Sequence, residues 1–330
     1  MQKYDLISDF TSISPKADIL AATHGWRAKC LQRLVRMDLP VPKVVTLPAN
    51  TVRQIAIGHS IDAKAILSNF VPNTLLSVRP SPAKPEWGGP ASLLNIGMNA
   101  AAHEGLCLSH GEDAANIIFL QFIQAYAMHV ARLDPDMFDD LSPSLEGISA
   151  ALKLYELEMD ESFPEDPARQ LTEVLRSMSR AWEGTTARLL RQAKGAPAEA
   201  ALGLVVQEMV QGMGQGLSGC GIIQFIDPVA GAYQVTGRFL AQGQARVQLA
   251  ESKELYLTRD PRGPSLEDVA PDIFAHLLDI GALCRVKLRE EMQVEFTIEN
   301  GKLSVLDAIK VPRSSRAGVR IAVSLAQDGI

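Results

Sequence analysis

The sequence predicts a mixed α+β fold in which a helical lobe interrupts regions of antiparallel strands. Short runs typical of strands occur before about residue 110, and alternating runs return from Leu202 onward. Between residue 112 and about residue 192 the apolar residues recur with helical spacing instead. Two alternating runs around Asn300-Gly301 form the clearest hairpin signal in the chain.

The N-terminal region predicts a helix followed by two strands. A helical pattern begins at Gly25 and stops at Asp38, and the two prolines of LPVPKVVTL then start an extended run. Residues 74–78 predict a second strand, which enters the Pro/Gly-rich segment RPSPAKPEWGGP before regular structure resumes over residues 92–97. A loop in this position is a candidate cover for a ligand.

Two long helices are predicted within the helical lobe. Their apolar positions are Ile117, Leu120, Ile123, Ala127 and Val130 in the first, and Leu171, Val174, Leu175, Met178 and Trp182 in the second. Asp166 followed by Pro167 predicts the start of the second helix, because aspartate caps free amides and proline is tolerated in the first turn. We therefore interpret the acidic run DESFPEDP as the lead-in to a helix and not as a metal site.

The region after Leu202 predicts antiparallel strands joined by turns. The strand patterns are LVVQEMV, CGIIQFIDP and YQVTGRFL, with the glycine-rich connection GMGQGLSG after the first. A helical stretch near residues 267–288 precedes the hairpin MQVEFTIENGKLSVLDAI, and a helix over about Ser315–Gln327 closes the fold.

Composition excludes several classes of function. The 330 residues include 32 Lys plus Arg against 38 Asp plus Glu, a formal charge of −6, and the basic residues are scattered singly. A nucleic-acid partner is not expected, because neutralising phosphates needs clustered Lys and Arg. The four cysteines lie far apart without a C-x-x-C pair, which predicts buried free thiols and no zinc or redox motif.

The N-terminus lacks the basic start and apolar run of a signal peptide. We also expect no apolar stretch of membrane-spanning length. Together these features predict a cytoplasmic protein without a membrane partner.

A glycine motif lies between the first two strand patterns of the later region. Gly214-Gln-Gly216-Leu-Ser-Gly219 satisfies G-x-G-x-x-G, but a strand follows it, whereas a Rossmann dinucleotide site needs a helix there. A glycine loop between antiparallel strands can instead cover nucleotide phosphates with backbone amides. A flexible hairpin loop is an equally good interpretation of this feature alone.

Glu295 and Asp307 form an acidic pair on the two strands of the terminal hairpin. Mg²⁺ prefers carboxylate and phosphate oxygens, so such a pair suits a nucleotide site. A two-residue turn at Asn300-Gly301 places Glu295 opposite Leu306 and sends Asp307 to the other face. A three-residue loop places Glu295 opposite Asp307. The pattern mildly favours the two-residue turn, so a structural role for Asp307 stays open.

In this order the segments resemble the N-terminal nucleotide-binding domain of pyruvate phosphate dikinase, which is of the ATP-grasp type and related to phosphoenolpyruvate synthase. The matching blocks are GWRAKCLQRLVRMDLPVP, LLSVRPSPAKPEWGGPASLLNIG, FLQFIQAYAMHV, FPEDPARQL with SRAW, VVQEMVQGMGQGLSGCGIIQFIDP, and MQVEFTIENGKLSVLDAIKVPRSSRAGVRIAV. They occur in family order and span nearly the whole sequence.

The resemblance implies an ATP-grasp fold with three parts. Residues 1–110 and 198–245 would form the first ATP-grasp lobe, 111–197 the helical lobe, and 246–330 the second ATP-grasp lobe. In the family, this domain binds ATP and Mg²⁺ and phosphorylates a histidine on a separate swivelling domain, which passes the phosphoryl group to pyruvate. No such carrier motif is recognisable in this sequence, so we expect the acceptor to be a separate phospho-histidine carrier or another partner protein.

Four charged positions lie where the family has catalytic-site residues; Arg79 and Glu295 retain the family residue, and Arg27 and Asp307 replace it. Arg79 in SVRP matches an arginine that contacts ATP phosphates, and Arg27 stands in place of a lysine, keeping the charge on a planar fork. Glu295 in VEF matches a glutamate that binds metal and nucleotide. Asp307 replaces a glutamine and is at least as good a ligand for a hard cation.

The resemblance also assigns the nucleotide-binding stretch between residues 207 and 221. Gln207, Met209 and Val210 match a strand whose backbone meets the adenine. The phosphate-covering loop is kept at Gly212, Gly214, Ser218, Gly219 and Gly221, with Cys220 in the place of a threonine.

Other positions depart from the family. Gln293 replaces an aspartate, Ile309 and Ala83 each replace an arginine, and Arg238 replaces a glutamate. Phosphoryl transfer depends on positioning and on cationic stabilisation, so these changes should cost several kcal/mol of transition-state stabilisation. Two functions therefore stay open: an ATP/Mg²⁺-binding domain that phosphorylates a partner, and a catalytically degenerate relative that binds another ligand or protein.

Overall fold

The computed structural model describes residues 8–244, 247–249 and 252–330. Its contacts divide the chain into a first unit, Met1–Gln32 with Lys43–Met209, and a second unit, Arg33–Pro42 with Val210–Ile330. Each unit contains one five-stranded antiparallel sheet with helices packed on it, which confirms the predicted mixed α+β class. The predictions about a signal peptide and about a lobe boundary at residues 245 and 246 concern sequence outside the described residues.

The described strands are β1 (Thr11–Ser12), β2 (Val44–Leu47), β3 (Leu76–Pro82), β4 (Leu93–Ile96), β5 (Leu202–Glu208), β6 (Gly219–Ile226), β7 (Tyr233–Ala241), β8 (Gly243–Gln244), β9 (Val247–Gln248), β10 (Glu254–Leu255), β11 (Met292–Glu299) and β12 (Lys302–Lys310). The α-helices are α1 (Ala21–Arg36), α2 (Ala49–Ala56), α3 (Ala63–Leu67), α4 (Ala100–His110), α5 (Glu112–Tyr126), α6 (Leu145–Met159), α7 (Pro167–Glu183), α8 (Thr185–Ala193), α9 (Leu266–Val269), α10 (Pro271–Leu288) and α11 (Ser315–Gln327). A π-helical turn, Ala127–Ala131, continues α5.

The sheet of the first unit has the strand order β1-β2-β5-β3-β4. Its central strand β5 pairs with β2 on one side and with β3 on the other. The run from Leu202 to Gln207 is buried throughout, as expected for a continuous apolar strand that is covered on both faces. Helices α2 and α7 pack against this sheet and against each other.

Helix α7 begins where the sequence predicts. The Asp166 carboxylate accepts the N–H of Ala168 at 3.0 Å, and Pro167 occupies the first turn. All five predicted apolar positions of this helix are buried, so its stripe faces the core of the first unit. The interpretation of the preceding acidic run as a helix lead-in is consistent with this cap.

Helix α5 corrects one expectation. The 20-residue stretch Glu112–Ala131 is long and apolar enough to cross a membrane by length and composition alone, although no stretch of that kind was expected. The buried helix of a protein core passes the same test, and 61% of the apolar window is buried here. The stretch is apolar because α5 packs against α4, α6 and β4 inside the first unit.

The sheet of the second unit has the strand order β10-β7-β6-β11-β12. Helix α10 covers one face, where Gly281 lies so close to the ring of Phe225 that a Cβ atom would overlap it. Val294, Phe296 and Ile298 of β11 are buried on the same face, which we call the core face. The face on which Glu295 lies is less buried, and we call it the polar face.

Two stacked aromatic rings explain why β6 has glycine at positions 219 and 221. Phe239 of β7 and Phe296 of β11 lie with ring centroids 6.0 Å apart and planes 2° from parallel. Gly221 pairs with both residues across the sheet, and Gly219 lies against the Phe239 ring. A Cβ atom on Gly221 would lie 2.5 Å from Phe296 Cζ and 2.8 Å from the Arg238 carbonyl oxygen. These two glycines therefore have a packing role.

The chain passes from the first unit to the second at Val210, and β6 pairs with β11 in the second sheet. The assignment of residues 1–110 and 198–245 to the first ATP-grasp lobe and of 246–330 to the second stays a prediction. The glycine segment consequently connects two different sheets, so its interpretation as a hairpin loop was wrong. A separate helical lobe over residues 111–197 stays a prediction.

Replacing Gly221 by alanine is expected to destabilise the second unit by about 1–3 kcal/mol, because the new methyl group overlaps backbone as well as a ring. Chemical denaturation of the full chain measures this change. Gly318→Ala is the matched control, since Gly318 lies in α11 and a Cβ there meets only the Arg313 side chain at 3.8 Å. Gly318→Ala should be neutral or slightly stabilising, because alanine favours a helix. A Gly221→Ala variant as stable as the unaltered chain would contradict the packing role.

Candidate functional site

The first unit brings Arg27 and Arg79 to the same stretch of strand. Arg79 lies on β3 and pairs with Val205 of β5. The guanidinium of Arg27 reaches from α1 and donates a hydrogen bond from Nη1 to the carbonyl oxygen of Pro80, the residue after Arg79. Both arginines are half-buried. The guanidinium of Arg27, on α1, thus contacts the backbone beside Arg79, on β3. Guanidinium groups bind phosphate oxygens well.

A kink at Gly25 allows α1 to approach β3 this closely. Gly25 has φ 84° and ψ 168°, outside the helical region and favourable only for glycine. A Cβ atom there would overlap the carbonyl of Ser81. Beyond the kink the N–H of Ala28 donates to Ser81 Oγ at 3.1 Å, so the first turn after Gly25 is anchored to β3.

The imidazole before this kink adds no positive charge near neutral pH. His24 is buried, and burial lowers the pKa of its ring below the ordinary value. Its Nδ1 lies 2.8 Å from the Thr23 hydroxyl.

The predicted adenine-binding stretch begins inside the first sheet. Gln207 is buried in β5, and the N–H of Glu208 donates to the Lys43 carbonyl at 2.9 Å. The N–H of Met209 donates to the Leu75 carbonyl at 2.9 Å. Within the described part of the chain, no backbone hydrogen bond uses the Met209 carbonyl or the Val210 N–H. Both groups belong to one trans peptide and point in opposite directions, so either the carbonyl or the N–H, but not both, is available to a given base edge.

The glycine loop, residues 212–218, is held by other parts of the second unit. The Gly214 N–H donates to Gln242 Oε1 at 2.9 Å, and Gln242 Nε2 donates to the Gly216 carbonyl at 3.1 Å. Ser218 is buried; its hydroxyl accepts the Asn300 N–H at 3.0 Å and donates to the Gln215 carbonyl at 3.2 Å. The exposed tip of the loop is Gln215 and Gly216.

This loop needs glycine at its start for a steric reason. Gly212 has φ 67°, and a Cβ atom there would lie 2.6 Å from the Gly243 carbonyl oxygen. Among the predicted phosphate-covering residues, Gly214 lies in the loop itself, Ser218 supports its base, and Gly219 and Gly221 lie under the phenylalanine rings. The residues of this stretch therefore have different structural roles: some form the loop, and others pack in the sheet.

The terminal hairpin places Glu295 directly opposite Asp307. The turn has two residues, so Ile298 pairs with Leu303 and Phe296 with Val305, as the favoured register predicts. The register then shifts by one residue, and Glu295 pairs with Asp307. Leu306 is the extra residue of a β-bulge. The expectation that a two-residue turn separates the two acids was wrong, because neither register considered included a bulge.

The bulge has a clear physical cause. Leu303 and Val305 are buried on the core face, and an unbroken ladder would place Asp307 opposite buried Val294 on that same face. A carboxylate among apolar side chains has no hydrogen-bond donor and is strongly unfavourable. On the polar face Asp307 is still buried, but its Oδ1 accepts the Ala308 N–H. With the extra residue, Ala308 pairs with Val294 instead.

The carboxylate pair combines one buried and one half-buried side chain. Asp307 is only 2% exposed, and its Oδ1 accepts the N–H of Ala308 at 2.9 Å. Glu295 is half-buried. The described residues contain no group of three or more His, Cys, Asp or Glu side chains able to hold a metal ion. Two carboxylates suit Mg²⁺, which is commonly bound by one or two protein carboxylates together with substrate phosphates.

Three of the four substituted positions lie on the polar face near this pair, whereas Ala83 follows β3 in the first unit. Arg238, Ile222 and Glu295 form one row across β7, β6 and β11. In the next row Gln293 lies opposite Ile309. Gln293 and Ile309, next to the carboxylate pair, are therefore both uncharged. In the row of Glu295 itself, the exposed Arg238 lies two strands away.

Two residues important for this geometry have no signal in the motifs. Gln242 adopts a left-handed backbone conformation, φ 48°, and holds the glycine loop from both sides. Leu306 creates the bulge. The order of apolar residues does reflect the bulge: the buried core-face positions Leu303 and Val305 are two residues apart, whereas Val305 and Ala308 are three apart.

Comparison with known proteins finds pyruvate, phosphate dikinases from several organisms. The protein from Clostridium symbiosum is 27% identical over 279 residues, which cover 78% of this chain and 31% of that protein. The protein from Rhizobium meliloti (strain 1021) is 28% identical over 288 residues, with 78% and 31% covered. The protein from Rickettsia typhi (strain ATCC VR-144 / Wilmington) is 24% identical over 304 residues, with 84% and 34% covered. No protein-family model matches the chain.

The chain spans about a third of the length of the relatives it matches. The resemblance found in the sequence blocks is confirmed by these matches, which cover more than three quarters of the chain. The chain is a distant homologue of pyruvate, phosphate dikinase, related to one part of that larger protein.

Proposed function

We propose that the chain binds ATP together with Mg²⁺ as an ATP-grasp-like domain and transfers a phosphoryl group to a separate partner. The observation that carries the proposal is the β-bulge at Leu306, which places the Glu295 and Asp307 carboxylates opposite each other on the polar face. Homology to pyruvate, phosphate dikinase supports the same assignment.

Glu295 and Asp307 are the residues that would hold Mg²⁺. When bound, the ion supplies charge that neutralises phosphate oxygens during phosphoryl transfer. The buried position of Asp307 favours this role, because its fixed backbone contact with Ala308 limits the motion of the carboxylate.

Arg27 and Arg79 would contact the phosphates. Catalysis of phosphoryl transfer is mostly positioning plus electrostatic stabilisation, and preorganised guanidinium groups serve both purposes. The hydrogen bond from Arg27 to Pro80 and the kink at Gly25 provide this preorganisation in the first unit.

The backbone of residues 207–210 would recognise adenine. The Met209 carbonyl would accept a hydrogen bond from the amino group of adenine, whereas the Val210 N–H belongs to the same trans peptide and points away from that edge. The exposed Gln215 and Gly216 at the tip of the glycine loop present backbone to an anion without a bulky obstacle at Gly216. Ser218, Gly219 and Gly221 support this loop and the strand that follows it.

The phosphoryl acceptor would be a separate protein. A phospho-histidine carrier is the acceptor that the family resemblance implies, and another partner protein is its alternative.

Replacing either carboxylate with its amide is expected to weaken binding of MgATP at least tenfold, equivalent to about 1.4 kcal/mol. Isothermal titration of Glu295→Gln and Asp307→Asn with MgATP measures the loss. With excess EDTA, the variants and the unaltered chain should bind ATP alike, because the difference resides in the metal.

Asp279→Asn is the control for this titration. Asp279 is exposed on α10, so its substitution changes the net charge equally without altering the carboxylate pair. Unchanged MgATP affinity in both amide variants would refute the metal assignment.

A catalytically degenerate protein is the second candidate function. It is favoured by the uncharged row of Gln293 and Ile309 beside the carboxylates, together with the exposed cation Arg238 on the same face. Such a protein would use the polar face to bind a ligand or another protein without turnover.

Arg79→Ala distinguishes the two candidates. In an active phosphotransferase this change should lower ATP turnover about 10²- to 10³-fold, the typical loss for one donor to a developing negative charge. Conversion of ATP to ADP or AMP, followed by ion-exchange chromatography with and without a carrier protein, provides the measurement. Arg53→Ala, which removes an exposed arginine on α2, should have no effect. MgATP binding without turnover in the unaltered chain would instead favour the degenerate protein.

A further inference from the structure

A cavity of about 320 Å³ lies in the first unit, away from β3, between the π-helical turn, the end of α6 and one face of α7. Its positively charged lining consists of Arg132, Arg176 and Arg180. Val130, Ala131 and Met159 supply apolar surface. The volume lies at the lower end of the range of small-molecule pockets, about 300–1,000 Å³. We call it the arginine cavity.

Helix α7 presents two of these arginines on one face. Arg176 and Arg180 are four residues apart, a spacing at which like charges repel by a few tenths of a kcal/mol. Across the described part of the chain, neither guanidinium forms an ion pair with a carboxylate. The opposite face of the helix is buried core, so both arginines are directed to the cavity side.

Arg132 is brought to the same cavity by an unusual backbone. It ends the π-helical turn in a left-handed conformation, φ 66° and ψ 28°, which is uncommon for a residue other than glycine. Its Nη2 donates to Ser177 Oγ at 3.3 Å, and Ser177 in turn donates to the His129 carbonyl. Strained backbone and single π-helical turns are often found at functional sites.

Both carboxylates that line the cavity already form ion pairs with an arginine outside its lining. Glu161 and Glu173 both form ion pairs with Arg169, at 2.9 Å and 2.8 Å. Glu173 also accepts a hydrogen bond from the Tyr126 hydroxyl. With Arg169 counted, four arginines face two glutamates, so the cluster has an excess of two positive charges in a chain whose net charge is −6.

Two further groups at the cavity, His129 and Tyr155, add no charge near neutral pH. Burial lowers the pKa of His129, and the positive charge of Arg132 lowers it further. Burial, together with the charge of Glu173, raises the pKa of Tyr155 to about 12. The excess charge is therefore due to the arginines alone.

We propose that the arginine cavity binds a small phosphomonoester, independently of the proposed nucleotide function. A phosphomonoester carries a charge between about −1.5 and −2 at neutral pH, which matches the excess of two positive charges. Guanidinium groups bind phosphate oxygens through paired hydrogen bonds, and here three are available. The apolar surface of Val130, Ala131 and Met159 receives the organic part of the ligand, so an organic phosphate binds more tightly than inorganic phosphate.

Isothermal titration of the full chain with phenyl phosphate, at constant ionic strength, tests this proposal. The double variant Arg176→Ala/Arg180→Ala should bind at least tenfold more weakly. The control double variant Arg53→Ala/Arg188→Ala removes the same charge from exposed sites outside the cavity and should bind as the unaltered chain does. Arg79→Ala should also leave the affinity unchanged, which separates this site from the proposed nucleotide site.

The ligand comparison has a second arm. Inorganic phosphate should bind more weakly than phenyl phosphate to the unaltered chain, and both should lose affinity in the Arg176→Ala/Arg180→Ala variant. An equal loss in the control double variant would show general charge attraction and overturn the proposal. So would a loss caused by Arg79→Ala alone.

A measurement on the unaltered chain covers the case in which the double variant fails to fold. Phenylglyoxal modifies exposed arginines, and mass spectrometry locates the adducts. Phenyl phosphate should protect Arg132, Arg176 and Arg180 from modification while leaving Arg188 reactive. Equal modification of all four arginines with and without phenyl phosphate would overturn the proposal.

Discussion

The chemistry of the second unit depends on one extra residue in its terminal hairpin. An antiparallel ladder alternates strictly between faces, so a two-residue turn at Asn300-Gly301 would commit Asp307 to the core face. The bulge at Leu306 restores Asp307 to the row of Glu295 while Leu303 and Val305 remain buried. The bulge thus keeps the apolar residues on the core face and pairs the two carboxylates on the polar face, where Asp307 is still buried.

Close approaches of backbone, made possible by glycine, position the remaining parts of each unit. In the first unit, Gly25 lets α1 meet β3, and Gly203 of β5 lies against the His24 carbonyl. In the second unit, Gly219 and Gly221 leave room for the stacked rings of Phe239 and Phe296. Gly219 and Gly221, which the family resemblance assigns to phosphate binding, therefore also explain how the sheet packs, whereas Gly212, Gly214 and Gly216 lie in the loop.

Much of the fold could be predicted from local pattern, whereas the site could be predicted only in its parts. The cap at Asp166, the apolar stripe of α7, the terminal hairpin and the helix Ser315–Gln327 follow from spacing and capping rules that act within a few residues. The shorter helices α2 and α3 were missed because few residues carry their periodicity. The passage of the chain at Val210 into a second sheet was missed because strand partners are chosen by contacts distant in sequence.

The sequence by itself determined the α+β class, the order of most elements, the relationship to pyruvate, phosphate dikinase and the residue types at each predicted site position. These properties depend on residues close together in the sequence, or on the order of segments along it. Tertiary structure alone decided that Glu295 faces Asp307, that Arg27 rests on the strand of Arg79, and that Gln242 holds the glycine loop. The first depends on the register shift at Leu306, the second on the kink at Gly25, and the third on the left-handed backbone of Gln242. Each results from contacts between residues that are distant in the sequence.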